Sequence, residues 1–342
     1  MYENGFACPG KAGKVRDDPA SARVKTRRMT IPTPTQTASI EPGQIGAFAA
    51  LVAGAVAMGV SPVFVRFAAA DIGPFASAFW RVFLALPVLY AWMRIDEARH
   101  PGLAGRASWS RATVFAGFAF VGDLIFWHLA ILNTTVANAT FFATTAPLFV
   151  ILISWAVLRV TIARSTLAGL VLCMLGGAAL IGQSMQIAPA RLAGDVYGVI
   201  TAFFFALYFL GVEKARRSGG SAGRVTFELS LVTAAGLFAV AIIAERQILP
   251  TTPEAILALV ALAFISHAGG QGLLSVALGR LPAVFSSLVI FIEAVAAAVF
   301  GWLVLSEALT LIQAMGGALI LAGIFVARPR RNRPPLPARA KP

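Results

Sequence analysis

Residues 142–181, FATTAPLFVILISWAVLRVTIARSTLAGLVLCMLGGAALI, decide how this chain is to be read. Two apolar runs flank a short break, and the break holds the only charges of the stretch, Arg159 and Arg164. Each run is about 20 residues long, which is what it takes to cross a hydrocarbon core of roughly 30 Å at 1.5 Å per residue. Neither run alternates polar and apolar residues with period 2, so helices are expected. In lipid, helices and closed barrels are the structures that satisfy their own backbone.

The pattern continues in both directions. Spans are expected at about 45–66, 74–93, 112–132, 136–158, 167–184, 195–215, 225–245, 254–278, 283–305 and 309–327. Of the 342 residues 58% are hydrophobic and 13% charged, against about a quarter charged in soluble domains. Between spans only 94–111 is a loop of any length, and no soluble domain fits. Residues 1–44 are polar and rich in Pro, Thr and basic residues and read as a disordered cytoplasmic tail. Met29 resembles an ordinary start, so residues 1–28 read as a gene-model extension. Residues 328–342 form a second basic tail.

The net charge of +13 would suggest nucleic acid in a soluble protein. Here the basic residues lie in the breaks and tails, with no basic patch interleaved with aromatics, so no nucleic-acid partner is expected. With the N-terminus inside, 24 Lys and Arg fall on the cytoplasmic side and three (Arg66, Arg191, Arg246) outside, while Arg81 lies within a span. That split places both termini in the cytoplasm of a bacterial-type inner membrane and supports an even number of spans. Cys8 and Cys173 lie in a tail and a span and make no disulfide framework.

The halves repeat. A shift of 147 brings Gly122, Gly169 and Gly176 onto Gly269, Gly316 and Gly323, and Ala130 onto Ala277; a shift of 148 brings Gly46 onto Gly194 and Arg66 onto Lys214. Units of five spans, 45–184 and 195–327, have an odd number of crossings, so the second is inverted. The expected fold is an all-α integral membrane protein of ten transmembrane helices in two inverted five-helix repeats, an arrangement that puts substrate near the midplane between the copies. Gly169, Cys173 and Gly177, and Ala314, Ala318 and Ala322, are expected to be packing stripes of spans 5 and 10.

Residues 142–158 with 167–181, and FIEAVAAAVFGWLVLSEALTLIQAMGGALILAGIF at 291–325, resemble the EamA-type repeat of the drug/metabolite transporter superfamily. ASAFWRVFLALPVL at 76–89 resembles that family's second helix with its intramembrane Arg. The resemblance covers about 45–327. It implies ten helices in a five-plus-five inverted arrangement and export of small metabolites, often amino acids or drugs. The sequence departs from the pattern in three places: Glu307 at the second span junction is matched by Val160 in the first, Pro147 by Ala294, and Glu293 precedes that Ala as in a Glu-Pro pattern of some members.

Charged and polar residues inside spans are costly and should face a cavity or a partner. Arg81 lies roughly 11 Å below the outer edge at 1.5 Å per residue. It reads as an anion-binding group or as half of an ion pair. Asp123 lies at similar depth and is its expected partner. Trp127, four residues on, adds an aromatic face suited to a substrate ammonium; Trp92, Trp109, Trp155 and Trp302 read as interface anchors. Glu293, a lone acid in an apolar run near the midplane, is the candidate proton carrier. His267, Gln271 and Ser275 form a stripe on span 8, and His128 lies in span 3; they line the cavity or bond between helices. Gly269, Gly270 and Gly272 either unwind span 8 or, more commonly, bring helices close.

Two separated histidines do not make a metal site, no G-x-x-x-x-G-K-[ST] motif is present, and no cofactor is called for. The expected activity is secondary transport, exporting amino acids or related metabolites by alternating access, with proton coupling through Glu293. The rival is efflux of drugs or aromatic cations. A membrane-embedded enzyme would need clustered His and Asp motifs near one interface, which are not seen. The expected partners are a small-molecule substrate and the lipid bilayer, and a homodimer is compatible with such a chain. The charge split predicts that a cysteine introduced between Gln183 and Ala190 is labelled from outside and one in 94–111 is not; the reverse pattern overturns the orientation.

Overall fold

The structure, a computed structural model, describes residues 42–181, 189–305 and 310–328. Residues 1–41 and 329–342 of the two tails, the segment 182–188 at the labelling sites and the junction Glu307 lie outside the described residues, while residues 42–44, expected in the tail, begin the first helix.

Among the described residues the chain forms nine helices long and apolar enough to cross a membrane and a tenth, shorter one, Leu311–Ala327, which together fit the ten expected spans; several of them are in two pieces. Span 1 is α1 (Pro42–Gly59) and α2 (Ser61–Ile72); span 2 is α3 (Pro74–Phe83) and α4 (Leu86–Arg99). Span 3 is α5 (Arg111–Asn133). Span 4 is α6 (Val136–Thr144) and α7 (Ala146–Ala156), and span 5 is α8 (Arg164–Ile181). In the second repeat α9 (Leu192–Arg217) and α10 (Ala222–Ala244) are continuous. Span 8 is α11 (Pro253–Ala261), a π-helix (Leu262–Gln271) and α12 (Gly272–Leu278). Span 9 is α13 (Ala283–Val289) and α14 (Phe291–Leu305), and span 10 is α15 (Leu311–Ala327). Helix starts are set by local chemistry: the hydroxyls of Ser110, Thr135, Ser221, Thr252 and Thr310 each accept from a backbone N–H one turn on, satisfying donors that a helix start leaves open.

Glycines hold the repeats together. α8 and α15 cross so closely that a Cβ added at Gly169 would sit 2.5 Å from the Gly323 carbonyl oxygen, and one at Gly176 would sit 2.6 Å from that of Gly316. Under the 147-residue shift Gly169 becomes Gly316 and Gly176 becomes Gly323, so each contact maps onto the other. That reciprocity is what an inverted duplication requires. On span 5 Gly169, Cys173 and Gly177 are buried as expected. On span 10 the expectation fails: Ala314, Ala318 and Ala322 are exposed, and the packed face is Gly316, Ile320, Gly323 and Ala327. Alanine spacing alone does not say which side of a helix the glycines occupy, and the glycines permit the close approach.

Spans 2 and 7 exchange caps in the same way. Asp96, near the end of α4, accepts from Gly223 N in the first turn of α10 at 2.9 Å. Glu245, just past α10, accepts from Phe75 N and Ala76 N in the first turn of α3 at 2.8 and 2.5 Å. Each carboxylate meets the positive end of the other helix. Glu228 accepts from Ser108 Oγ and Trp109 N, both at 2.7 Å, and pairs with Arg224 at 3.0 Å, holding a loop in which Ala107 and Trp109 have φ of 53° and 50°.

Gly176→Ala should lower the melting temperature of the purified protein by the equivalent of about 1–3 kcal/mol of overpacking. Gly46→Ala, where an added Cβ meets nothing within 4 Å, should not. Equal melting of the two variants would show that the crossing has slack.

Candidate functional site

Prolines decide where the bundle opens. Pro62, Pro87 and Pro147 lie at the starts of α2, α4 and α7. A proline has no N–H to offer the carbonyl four residues back, which here belongs to Met58, Phe83 and Ala143. Non-helical backbone is tolerated at membrane depth where it lines a cavity or is covered by protein. Met58 and Ala143, beside two of these breaks, line a cavity of about 40 Å³. It has room for about three waters. Thr144 lies at the α6–α7 break, and Ile290 and Glu293 lie at the α13–α14 break.

Of the residues singled out in the sequence, Arg81, Asp123, Trp127, Gln271 and Glu293 share the wall of this cavity. Arg81 is 3% exposed. Its guanidinium carbon lies 5.3 Å from the centre of the Trp127 ring, so the aromatic face expected to receive a substrate ammonium carries the protein's own cation. Nη2 donates to Ser266 Oγ at 3.0 Å, and Ser266 donates to Ser61 Oγ at 2.9 Å. Among the described residues no Arg81 nitrogen comes within the 4.0 Å of an ion pair to Asp123 or Glu293. The expected Arg81–Asp123 pair is therefore two charges across a shared cavity. Thr201 donates to the Asp123 backbone carbonyl at 3.5 Å from α9.

The remaining candidates lie elsewhere. His128 is fully buried, with Nδ1 donating to Leu124 O at 2.8 Å. His267 bonds Ser230 on α10 through Nε2 at 3.0 Å and stacks behind the cavity-lining Phe120, ring centres 5.6 Å apart. The stripe expected on span 8 is split for a physical reason: the π-helix has a wider turn than the α-helix, and the register shifts. Ser266 reaches Arg81 and Gln271 the cavity, while His267 and Ser275 turn to α10, Ser275 toward Ala222 O at 3.5 Å. The span 8 glycines do not unwind the helix. Gly270 packs against Met58 and the Gly54 carbonyl.

Ser61, Thr144, Thr201, Ser266 and the aromatic wall of Phe120 and Phe205 were not legible as site residues. The available signal was the set of prolines in otherwise apolar blocks, which mark the depth at which side chains meet a cavity.

A family model described as the EamA-like transporter family matches residues 44–182 and again 192–328. Two Archaeoglobus fulgidus proteins, each named an uncharacterized transporter, are similar to most of the chain. One is 22% identical over 275 residues, covering 79% of this chain and 93% of its own length. The other is 28% identical over 292 residues, covering 82% and 95%. A crystal structure 20% identical in sequence covers 84% of this chain and 97% of its own with a TM-score of 0.69, a likeness of fold.

Arg81→Ala leaves two carboxylates in the cavity without a cation and should lower stability in detergent. Adding Asp123→Ala should recover part of the loss, with a coupling of about 0.5–3 kcal/mol between the two sites. Strictly additive melting shifts would show that the two charges do not feel each other.

Proposed function

Because this chain belongs to the EamA-like transporter family, we propose that it is a secondary transporter exporting amino acids or related small metabolites by alternating access, with the Arg81–Asp123–Glu293 cavity as its substrate site. The observation that carries this reading is a guanidinium and two carboxyl side chains lining one small cavity at the level of the helix breaks. A zwitterion matches such a wall, its carboxylate toward Arg81 and its ammonium toward the acids. A cavity of about 40 Å³ is too small for an amino acid, so loading requires the two repeats to part along the cavity. The exchanged caps at the two ends of spans 2 and 7 are the contacts that parting would loosen in turn. Both termini lie in the cytoplasm of a bacterial-type inner membrane on this reading, which the lysine and arginine split supports.

Arg81 also separates this reading from efflux of drugs or aromatic cations, for which acidic groups suffice and a buried cation is a handicap. Loss of Arg81 should impair transport of zwitterions; improved transport of organic cations by the same variant would favour the rival.

Glu293 is the proposed proton carrier. It is a carboxylic acid on the cavity wall with no hydrogen-bond partner for its side chain among the described residues, so its proton can be exchanged with whatever solution the cavity faces. Glu293→Gln keeps the size but cannot ionise. In proteoliposomes loaded with an amino-acid mixture, the variant should retain counterflow and lose accumulation driven by a pH gradient. Gradient-driven uptake at the wild-type rate would remove Glu293 from the coupling and turn attention to Asp123.

A further inference from the structure

The hydrogen bonds around Arg81 have a direction. A guanidinium can only donate, so Ser266 Oγ accepts from Nη2 at 3.0 Å and must send its own proton elsewhere. It sends it to Ser61 Oγ at 2.9 Å. Ser61 is then an acceptor whose own proton has no acceptor among the hydrogen bonds of the described residues, and Ser61 is 1% exposed and lines the cavity. Its O–H is left as a donor to whatever the cavity holds. Ser61 also opens α2, a 12-residue helix with Pro62 in its first turn, which brings the positive end of that helix to the same wall. Arg81 Nε, buried and without a partner, adds to the surplus of donors. The Asp123 and Glu293 side chains line the same cavity.

We infer that Ser61 and Arg81 form an anion subsite that takes the carboxylate of the substrate, with Ser266 as the positioning residue that holds the guanidinium against Trp127. The subsite rests on the proposal that this cavity is the transport site, and it narrows the substrate class to molecules with one carboxylate and one amine. A dianion such as a phosphate ester would be repelled by Asp123 and Glu293. A plain amine would leave the donors of Ser61 and Arg81 unmatched. Ser266 and Ser61 come from different repeats, so the subsite is complete only while spans 1, 2 and 8 are together.

The test uses full-length protein in proteoliposomes and two competitor mixtures, the standard amino acids and the amines made by decarboxylating them, each titrated against counterflow. Wild type should be inhibited by the amino acids at lower concentration than by the amines. Ser61→Ala should weaken inhibition by the amino acids about tenfold, as expected for loss of a hydrogen bond to a charged group, and leave the amines unchanged; Ser61→Thr should restore the wild-type ratio. Ser266→Ala should lower the same ratio by releasing Arg81. The ratio between mixtures is unaffected by a uniform loss of folded protein. A Ser61→Ala variant that loses both classes equally, or neither, overturns the subsite while leaving the transport reading intact. A wild type indifferent to the amino acids overturns the transport reading itself, and the subsite with it.

Discussion

In hydrocarbon a backbone carbonyl without a donor costs several kcal/mol, so each helix break in this bundle has to be answered locally. Pro62 and Pro147 cannot donate to the carbonyls of Met58 and Ala143; the Ala143 carbonyl accepts from Thr145 N instead, and both residues line the same small cavity. The span 9 break at Ile290 and the π-helix of span 8 come to the same place. The rest of the bundle serves that constraint. Interrupted helices need rigid neighbours, and α5, α9 and the α8–α15 crossing provide unbroken ones. The polar side chains cluster where the backbone is already irregular because only there does polarity find company.

The scaffold is symmetric and the site is not. Under the 147-residue shift Arg81 corresponds to Glu228, which clamps the loop between spans 2 and 3 through Ser108 and Trp109. Asp123 corresponds to Gly270, which packs against Met58. Glu293 corresponds to Ala146, and Pro147 to Ala294. The glycine crossings and the exchanged carboxylate caps kept the symmetry, because each half of those contacts needs the other. The cavity did not keep it, and on the proposed reading a substrate with two different ends needs one wall of each kind.

Long apolar blocks, glycine register and charge bias made the bundle, its repeat and its family resemblance readable from sequence, since each is a one-dimensional pattern. Arg81, Asp123 and Glu293 were readable as candidates because charge in a span is rare. Their surroundings were not. Ser61 and Ser266 are 205 residues apart, and a serine in an apolar helix carries no mark of its partner. The extra residue in the turn at Leu262–Gln271 has no periodic signature, so His267 was grouped with Gln271 although the π-helix sends it to Ser230. The exposed Ala314–Ala318–Ala322 stripe shows the same limit: small residues permit close packing without requiring it.

The α8–α15 crossing has a consequence for how the protein is made. α15 is the last described helix of the chain, and it is the helix that the α8 glycines Gly169 and Gly176 approach most closely. At a synthesis rate of about 5–20 residues per second, α8 waits on the order of 7–30 s in the bilayer before its partner emerges from the ribosome. During that interval lipid, or the insertion machinery, must cover a groove shaped for another helix. A chain cut short before Leu311 would contain every residue of the cavity and still lack the clasp, leaving a complete site on a half-shut frame for the cell's proteases to find.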